Sequence, residues 1–394
     1  MIIRDVVDCL NLIHPFSPSV ISYPEDAVAR YQDYGIIEAL RRFERNGDWK
    51  CRVHYISGKR HSYSLDYRGL CYHFHPRSFY MGRFDPTKNS GNYFLREWSW
   101  SLLRYVIFHR ATANIFFTTA GYFTIAMALV SHLQRVPYLL IAGGRGGVPQ
   151  SRAHRWLLNN CARILIHTEF QRQAWHERFG IPLAKMTVFP MGVDLEQFRP
   201  KEKYNYDDIY ERGPRLLFVG RIVAGKNLLA VLEALAKIRH RFPNVRLTVV
   251  GPWGDNDYRQ QVESFVAAHS LTEYVTFTGL VPNTELASYY QCSDLMLFPT
   301  TSESFGIVIV ESMACGTPVI SLRGSGGPDE IIDHNINGLL VSNSEFVDAT
   351  IGVLCDQARL TQMSVAARQK VEREYSADRT YEQLRSILEQ VLTS

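Results

Sequence analysis

Residues 294–322 read DLMLFPTTSESFGIVIVESMACGTPVISL. DLMLFP (294–299) and TPVISL (317–322) are short, nearly continuous apolar runs, and the apolar Ile307–Val310 opens a helix between them. Strand, helix, strand with fully apolar strands is the pattern of a parallel sheet covered on both faces. The turn TTSESFG then lies at the carboxyl edge of that sheet, where doubly wound α/β sheets bind ligands.

Working outward, the same rhythm fills the second half. RLLFVG (215–220), RLTVVG (246–251), VTFTG (275–279) and NGLLV read as strands. Helices are expected at Lys226–Arg241, Tyr258–His269, 284–291 and Asp329–Asp333. The first half alternates too. Its expected strands are 6–14, 50–57, 70–76, 114–119, 137–144, 163–168 and 186–190, with helices at Ala27–Glu44, Tyr93–His109 and Glu169–Phe179. Residues 15–26 and 77–92 read as long irregular loops, which in compact domains are usually functional. PMGVDLEQFRP (190–200) reads as a hinge. The expected domains are 1–190 and 191–375, with a C-terminal helix at about 376–394 that packs back on the first.

A chain of 394 residues with 46% apolar content has material for two cores. Its seven cysteines are scattered and never form a CxxC pair, which predicts free thiols rather than a disulfide framework or a zinc site. The opening MIIRDVVDCLNLIH carries early charges and reads as a strand, not a leader. The span Ala111–Gln134 has no charged residue, but polar residues and Gly121 break it into a strand and a helix rather than a membrane span. The segment REWSWSLLRYVIFHR (96–110) admits two readings, a helix lying on an anionic membrane or a domain helix with exposed arginines. Residues 1–190 hold 24 Lys+Arg and 13 Asp+Glu, a charge of +11, and residues 191–394 hold 19 and 26, a charge of −7. That asymmetry predicts two domains facing different partners, with an anionic partner for the first.

The chemistry gathers at one sheet edge. On spacing alone, Glu303 and Glu311 read as a loop charge and a solvated helix position. Their surroundings say more. Gly306 opens a helix whose first N–H groups form an anion site. Glu303 lies just before that start and Glu311 about two turns in. Carboxylates suit the vicinal hydroxyls of a sugar or ribose. In GRIVAGKN, Arg221, Lys226 and Asn227 follow the first strand of the same sheet, so Arg221 and Lys226 can clamp phosphate oxygens. One ligand with hydroxylated rings at both ends and phosphates between satisfies all these groups: a nucleotide-diphosphate sugar.

GRIVAGKN, residues 275–320 and GGPDEIIDHNINGLLV together resemble glycosyltransferase family 4, the retaining group 1 transferases of the GT-B fold. FPMGVDLEQFRP resembles that family's interdomain segment. The resemblance implies two Rossmann-like parallel-sheet domains facing a cleft, and a metal-independent hexosyltransferase with no cofactor. Residues matching Arg221 and Lys226 hold the diphosphate in that family, the one matching Glu303 meets the donor sugar, and the one matching Glu311 meets the ribose. The backbone of Phe305, Gly306 and Ile307 faces the donor, and Gly220, Val281 and Ser304 complete the donor side. The implied acceptor is a glycan, a lipid-linked or a small molecule, in the cytoplasm or at the inner membrane face, with no nucleic acid involved.

The first domain departs from the family pattern. Ile21 and Ser22 stand roughly where many members have a glycine pair, and NIFFTTAG has threonines where many have a histidine. His14, Thr119 and Arg145 (in GGRGG) are the candidates for its contact with the reacting groups. Asp255-Asn256-Asp257 resembles a metal-binding DxD, but its position between a turn and a helix favours capping. Two other classes remain as rivals. A nicotinamide oxidoreductase requires GxGxxG after a first strand, which neither half supplies. A catalytically impaired sugar-nucleotide-binding partner of a true transferase fits the altered first domain.

Overall fold

The structure is a computed structural model and describes residues 9–14, 35–80, 97–117, 121–142, 151–201 and 212–393. The chain divides into two compact units, Met1–Pro190 with Thr380–Ser394, and Met191–Arg379.

The first unit is built on strands β1 (Cys9–His14), β2 (Lys50–Ser57), β3 (Tyr63–Tyr67), β4 (Leu70–Pro76), β7 (Ala113–Phe116), β8 (Tyr138–Ile141), β9 (Arg163–Ile166) and β10 (Met186–Val188). They lie in the order β10-β9-β8-β7-β1-β2-β4-β3, and all neighbours are parallel except β3 against β4. A separate ribbon pairs β5 (Phe79–Tyr80) with β6 (Glu97–Trp98). Helix α1 (Gly35–Asn46) packs Ile37, Leu40 and Phe43 on one sheet face. Helices α2 (Trp100–Phe108), α3 (Tyr122–Leu133), α4 (Arg152–Asn160) and α5 (Glu169–Phe179) bury Val106, Met127, Leu157 and Trp175 on the other.

The sequence shows why these elements start and stop. Ser99 Oγ accepts from Leu102 N, so α2 begins at Trp100; the start expected at Tyr93 lies outside the described residues. Thr168 caps α5, and Gly180 ends it at φ 65°, the left-handed conformation that glycine adopts freely. The described residues within the uncharged span 111–134 form β7 and the 12-residue α3. Among the described residues, no helix is long and apolar enough to cross a membrane.

The second unit contains β11 (Arg215–Val219), α6 (Leu228–Arg241), β12 (Arg246–Val250), α7 (Asn256–Ala268), β13 (Val275–Gly279), α8 (Asn283–Gln291) and β14 (Leu295–Phe298). It continues with α9 (Ile307–Ala314), β15 (Val319–Leu322), α10 (Gly327–Ile331), β16 (Gly338–Val341), α11 (Phe346–Leu354) and α12 (Gln357–Glu374). Its sheet is wholly parallel, in the order β13-β12-β11-β14-β15-β16. Strands β14, β15 and β16 are buried along their whole length, as a sheet covered on both faces requires. The last helix, α13 (Ala377–Thr393), places Tyr381, Leu384 and Leu388 in the core of the first unit. There the Tyr381 hydroxyl donates to Asp48 Oδ2 at 2.6 Å. All seven cysteines are free thiols.

Candidate functional site

The second sheet reverses its strand order between β11 and β14. Loops leaving the carboxyl ends of two such strands diverge to opposite sides and leave a crevice between them. Here those loops run over 220–227 and 299–306, and hydrogen bonds tie them together. Thr301 N and Thr300 Oγ1 both donate to Gly225 O, at 3.1 and 3.2 Å.

The first loop turns tightly because two strand ends nearly touch. A Cβ on Gly251 would lie 2.0 Å from Gly220 O, so β12 must end in glycine. Arg221 follows, exposed, its stem running past Gly254, where an added Cβ would lie 3.0 Å from Arg221 Cγ. Among the described residues Arg221 forms no ion pair. A 3-10 turn, Ala224–Lys226, comes next, and Asn227 at φ 55° starts α6. Lys226 therefore sits before the helix rather than in it. Its Nζ pairs with Glu303 Oε2 and lies 4.9 Å from the centre of the Phe298 ring. The helix dipole makes a cation here unfavourable without a nearby anion; in this structure Glu303 is that anion.

The second loop is held by the GSGGPDE segment. Glu303 N donates to Ser325 O at 2.8 Å, and Gly327 N donates to Glu303 O at 3.0 Å. A Cβ on Gly327 would lie 1.9 Å from Phe305 O, so the two segments approach closely only with glycine there. Asp329 fixes the partner segment by accepting from Gly324 N and Gly326 N, each at 2.8 Å. Within the loop, Ser304 N donates to Glu303 Oε1 at 3.0 Å. The Glu303 carboxylate is thus oriented by Lys226 on one oxygen and a backbone amide on the other. Gly306 has φ 98°, and a Cβ there would crowd Glu303 Cγ at 3.3 Å. Among the described residues no side chain caps the start of α9. The Phe305 ring is buried edge-on to Tyr375, so this residue offers a ligand its backbone rather than its ring.

Glu311 lies deeper. It is 3% exposed, and Tyr290 donates its hydroxyl to Glu311 Oε2 at 2.7 Å. Burial first, and then the Glu311 charge, hold that phenol protonated. Tyr290 gives no signal of this role in the sequence, where its place in α8 looks like any apolar helix position.

The remaining candidates fall as follows. Val281 is half-buried in the loop after β13, at the same edge of the sheet. Ser304 and Ile307 are also half-buried there. Asp255 Oδ1 accepts from Tyr258 N at 2.8 Å and caps α7, which accounts for the DxD resemblance. In the first unit the strand order reverses between β1 and β7. His14, at the end of β1, is fully buried and stacked on Tyr55 with ring centres 4.3 Å apart. Burial lowers its pKa to about 3, so the ring is neutral. Thr119 and Arg145, with Ile21 and Ser22, lie outside the described residues. Lys226 and Glu303 are therefore in direct contact, while Arg221, Gly306 and Val281 lie on loops at the same sheet edge.

Two family profiles match the chain: Glycosyltransferase Family 4 over residues 41–197 and Glycosyl transferases group 1 over residues 201–370. The D-inositol 3-phosphate glycosyltransferase of Pseudarthrobacter chlorophenolicus is 32% identical over 246 residues, covering 60% of this chain and 58% of that protein. The GDP-mannose-dependent alpha-(1-6)-phosphatidylinositol monomannoside mannosyltransferase of Mycobacterium tuberculosis is 30% identical over 229 residues, covering 54% of this chain and 57% of that protein. The matches thus span little more than half the length of these curated relatives. Among solved structures, Anabaena HepE in complex with UDP superposes with a TM-score of 0.71 at 16% identity, over 97% of this chain and 100% of that one. That likeness establishes a shared fold.

Proposed function

The chain belongs to glycosyltransferase family 4, and on that footing we propose that it moves a hexose from a nucleotide-diphosphate sugar to an acceptor hydroxyl, with retention at the anomeric carbon and without a metal. One observation carries this reading: Arg221, the Lys226–Glu303 pair and the uncapped start of α9 stand on loops at the switch point of one parallel sheet. A diphosphate seated there would meet two cations and a helix start, and the sugar would lie beside Glu303.

The chemistry follows from where charge moves. The bond from the anomeric carbon to phosphate oxygen breaks, and the electron pair stays on the leaving diphosphate. Arg221, Lys226 and the α9 N–H groups are preorganised for that growing negative charge. The acceptor oxygen bonds to the anomeric carbon on the same face, and its proton passes to the departing phosphate oxygen. Glu303, already oriented by Lys226 and the Ser304 amide, binds sugar hydroxyls. Glu311 binds the ribose from its buried position beside Tyr290. The clamp is already cationic and Asp255 is engaged in capping, which supports independence from divalent ions.

The curated relatives named above act on inositol phosphate or a phosphatidylinositol mannoside, by their names. Together with the +11 first half, this supports an anionic acceptor, lipid-linked or small, met at a membrane face. The test is incubation with UDP-, GDP- and ADP-sugars in EDTA, following slow hydrolysis and the anomeric form first released. Hydrolysis of one donor with retention is expected. Loss of turnover in EDTA that magnesium restores would overturn metal independence, and no hydrolysis of a donor that binds would favour an impaired partner subunit.

A further inference from the structure

The outward faces of α2 and α3 carry apolar side chains where surface helices normally carry polar ones. On α2, Trp100, Arg104, Ile107 and Phe108 follow helical spacing on one face, and Phe108 is 69% exposed. The inner face of the same helix buries Leu102 and Val106, so this is a domain helix whose other side is also apolar. On α3, Tyr122, Leu129 and Leu133 share one face, and Leu133 is 74% exposed. The two helices meet at their carboxyl ends, where Gln134 Nε2 donates to Ile107 O at 2.7 Å. Several exposed apolar side chains on two adjoining helices mark a candidate interaction surface.

Charge identifies the occupant. From Trp98 to Thr168 the sequence has no Asp or Glu and seven Arg. Those arginines supply most of the +11 of the first half. Arg104, Arg110, Arg135 and Arg155 are exposed on or beside α2, α3 and the adjoining α4. This stretch brings arginines and no carboxylate to the apolar face, a charge pattern complementary to a uniformly anionic surface. An apolar helical face flanked by cations lies in the interface of an anionic bilayer, with rings and leucines among the acyl chains and guanidinium groups at the headgroups.

We propose that the α2–α3 face of the first unit docks on an anionic phospholipid surface, through Ile107, Phe108, Leu129 and Leu133 with Arg104 and Arg110 around them. This extends the membrane-face acceptor of the proposed function, and it rests on that reading only for its purpose, not for its binding.

The test is flotation of the full chain with vesicles of phosphatidylcholine alone and with added phosphatidylglycerol, at low and physiological salt. Binding to the anionic vesicles only, weakened by salt, is expected. The double variant F108S/L133S should lose roughly tenfold or more in apparent affinity, and R104Q/R110Q should lose the preference for anionic lipid. Both pairs are exposed, and an unchanged thermal melt verifies the fold. Absence of flotation at low salt, or flotation unaffected by F108S/L133S, overturns the proposal. So does a dimer that F108S/L133S converts to a monomer, since the face would then belong to a second copy. Vesicle binding needs no donor, so flotation without nucleotide binding would instead count against the transferase reading.

Discussion

Tyr290 and Glu311 meet inside the second unit, where a buried phenol gives its hydroxyl hydrogen bond to Glu311 Oε2 across 2.7 Å. The carboxylate assigned to the ribose is thereby aimed by a fully buried phenol. Tyr290→Phe removes that bond and keeps the ring. Removing one partner of a buried pair typically costs about 1–3 kcal/mol of stability. A ribose hydroxyl gains no charge in the reaction, so the donor KM should rise while turnover at saturation is nearly kept. Urea unfolding and steady-state kinetics check both halves; a fall in saturated turnover with unchanged KM would exclude a positioning role.

The Lys226–Glu303 pair sharpens expectations for the clamp. Arg221→Ala and Lys226→Ala should each cut turnover by about 10²–10³, because the diphosphate gains charge only as the bond breaks. Both cations grip one diphosphate, so the double variant should cost less than the product of the two losses. Glu303→Gln frees Lys226 from its carboxylate. Nucleoside diphosphate binding should therefore hold or tighten while turnover falls. Calorimetry beside kinetics tests this, and a Glu303→Gln variant that binds diphosphate more weakly would contradict it.

Gly327→Ala forces a Cβ to within 1.9 Å of Phe305 O, and backbone cannot yield as a side-chain tip does. The loop carrying Glu303 must shift. Donor affinity and turnover should both fall, with the rest of the fold intact by circular dichroism. Normal kinetics in this variant would mean that the close approach does not position the loop.

Strands and helices of the second unit were largely legible, because β11 through β16 are short apolar runs separated by glycines, prolines and caps. Strand β3 was not, since YSLDY alternates burial on an edge and its antiparallel partner makes no βα rhythm. The helix expected from Lys226 starts at Leu228 because Asn227 adopts a left-handed conformation, which composition does not signal. Arg221, Lys226 and Glu303 were legible as residue types at one sheet edge, and Glu311 as a position on the helix that follows; its burial was not. Their pairings were not. Lys226 meets Glu303 across 77 positions and Tyr290 meets Glu311 across 21, and such contacts depend on strand order rather than local pattern.

The buried histidines of the first unit predict a stability that depends on pH. Ser131 donates to Met127 O, Asn114 Nδ2 to Ser131, and Asn11 Nδ2 to Asn114 Oδ1. Asn11 Oδ1 therefore accepts from His54 Nε2 at 3.3 Å, which leaves His54 Nδ1 to accept from His75 Nε2 at 3.1 Å. Protonating His54 would set two N–H groups head-on. Burial first, then the neighbouring His73 and His109, lower the His75 pKa to about 4. Burial likewise lowers His54, with His75, His73, Arg52 and His109 adding to it. Groups that bind protons more readily when unfolded stabilise the fold fully above the ordinary histidine value and lose that contribution as pH falls towards their folded values. Melting temperature should therefore drop between pH of about 6.5 and about 4. His54→Asn should flatten that slope, and a melt independent of pH across this range would contradict the chain of bonds.

The central assignment, a diphosphate clamp at Arg221 and Lys226 on the second sheet, is tested most directly by calorimetric titration of UDP, GDP, ADP and NADH into the intact chain and into Arg221→Ala/Lys226→Ala, all in EDTA. Saturable binding of at least one nucleoside diphosphate, lost or greatly weakened in the double variant, with no binding of NADH, is the expected result. Binding of NADH alone, or nucleoside diphosphate binding that survives the loss of both cations unchanged, would contradict it.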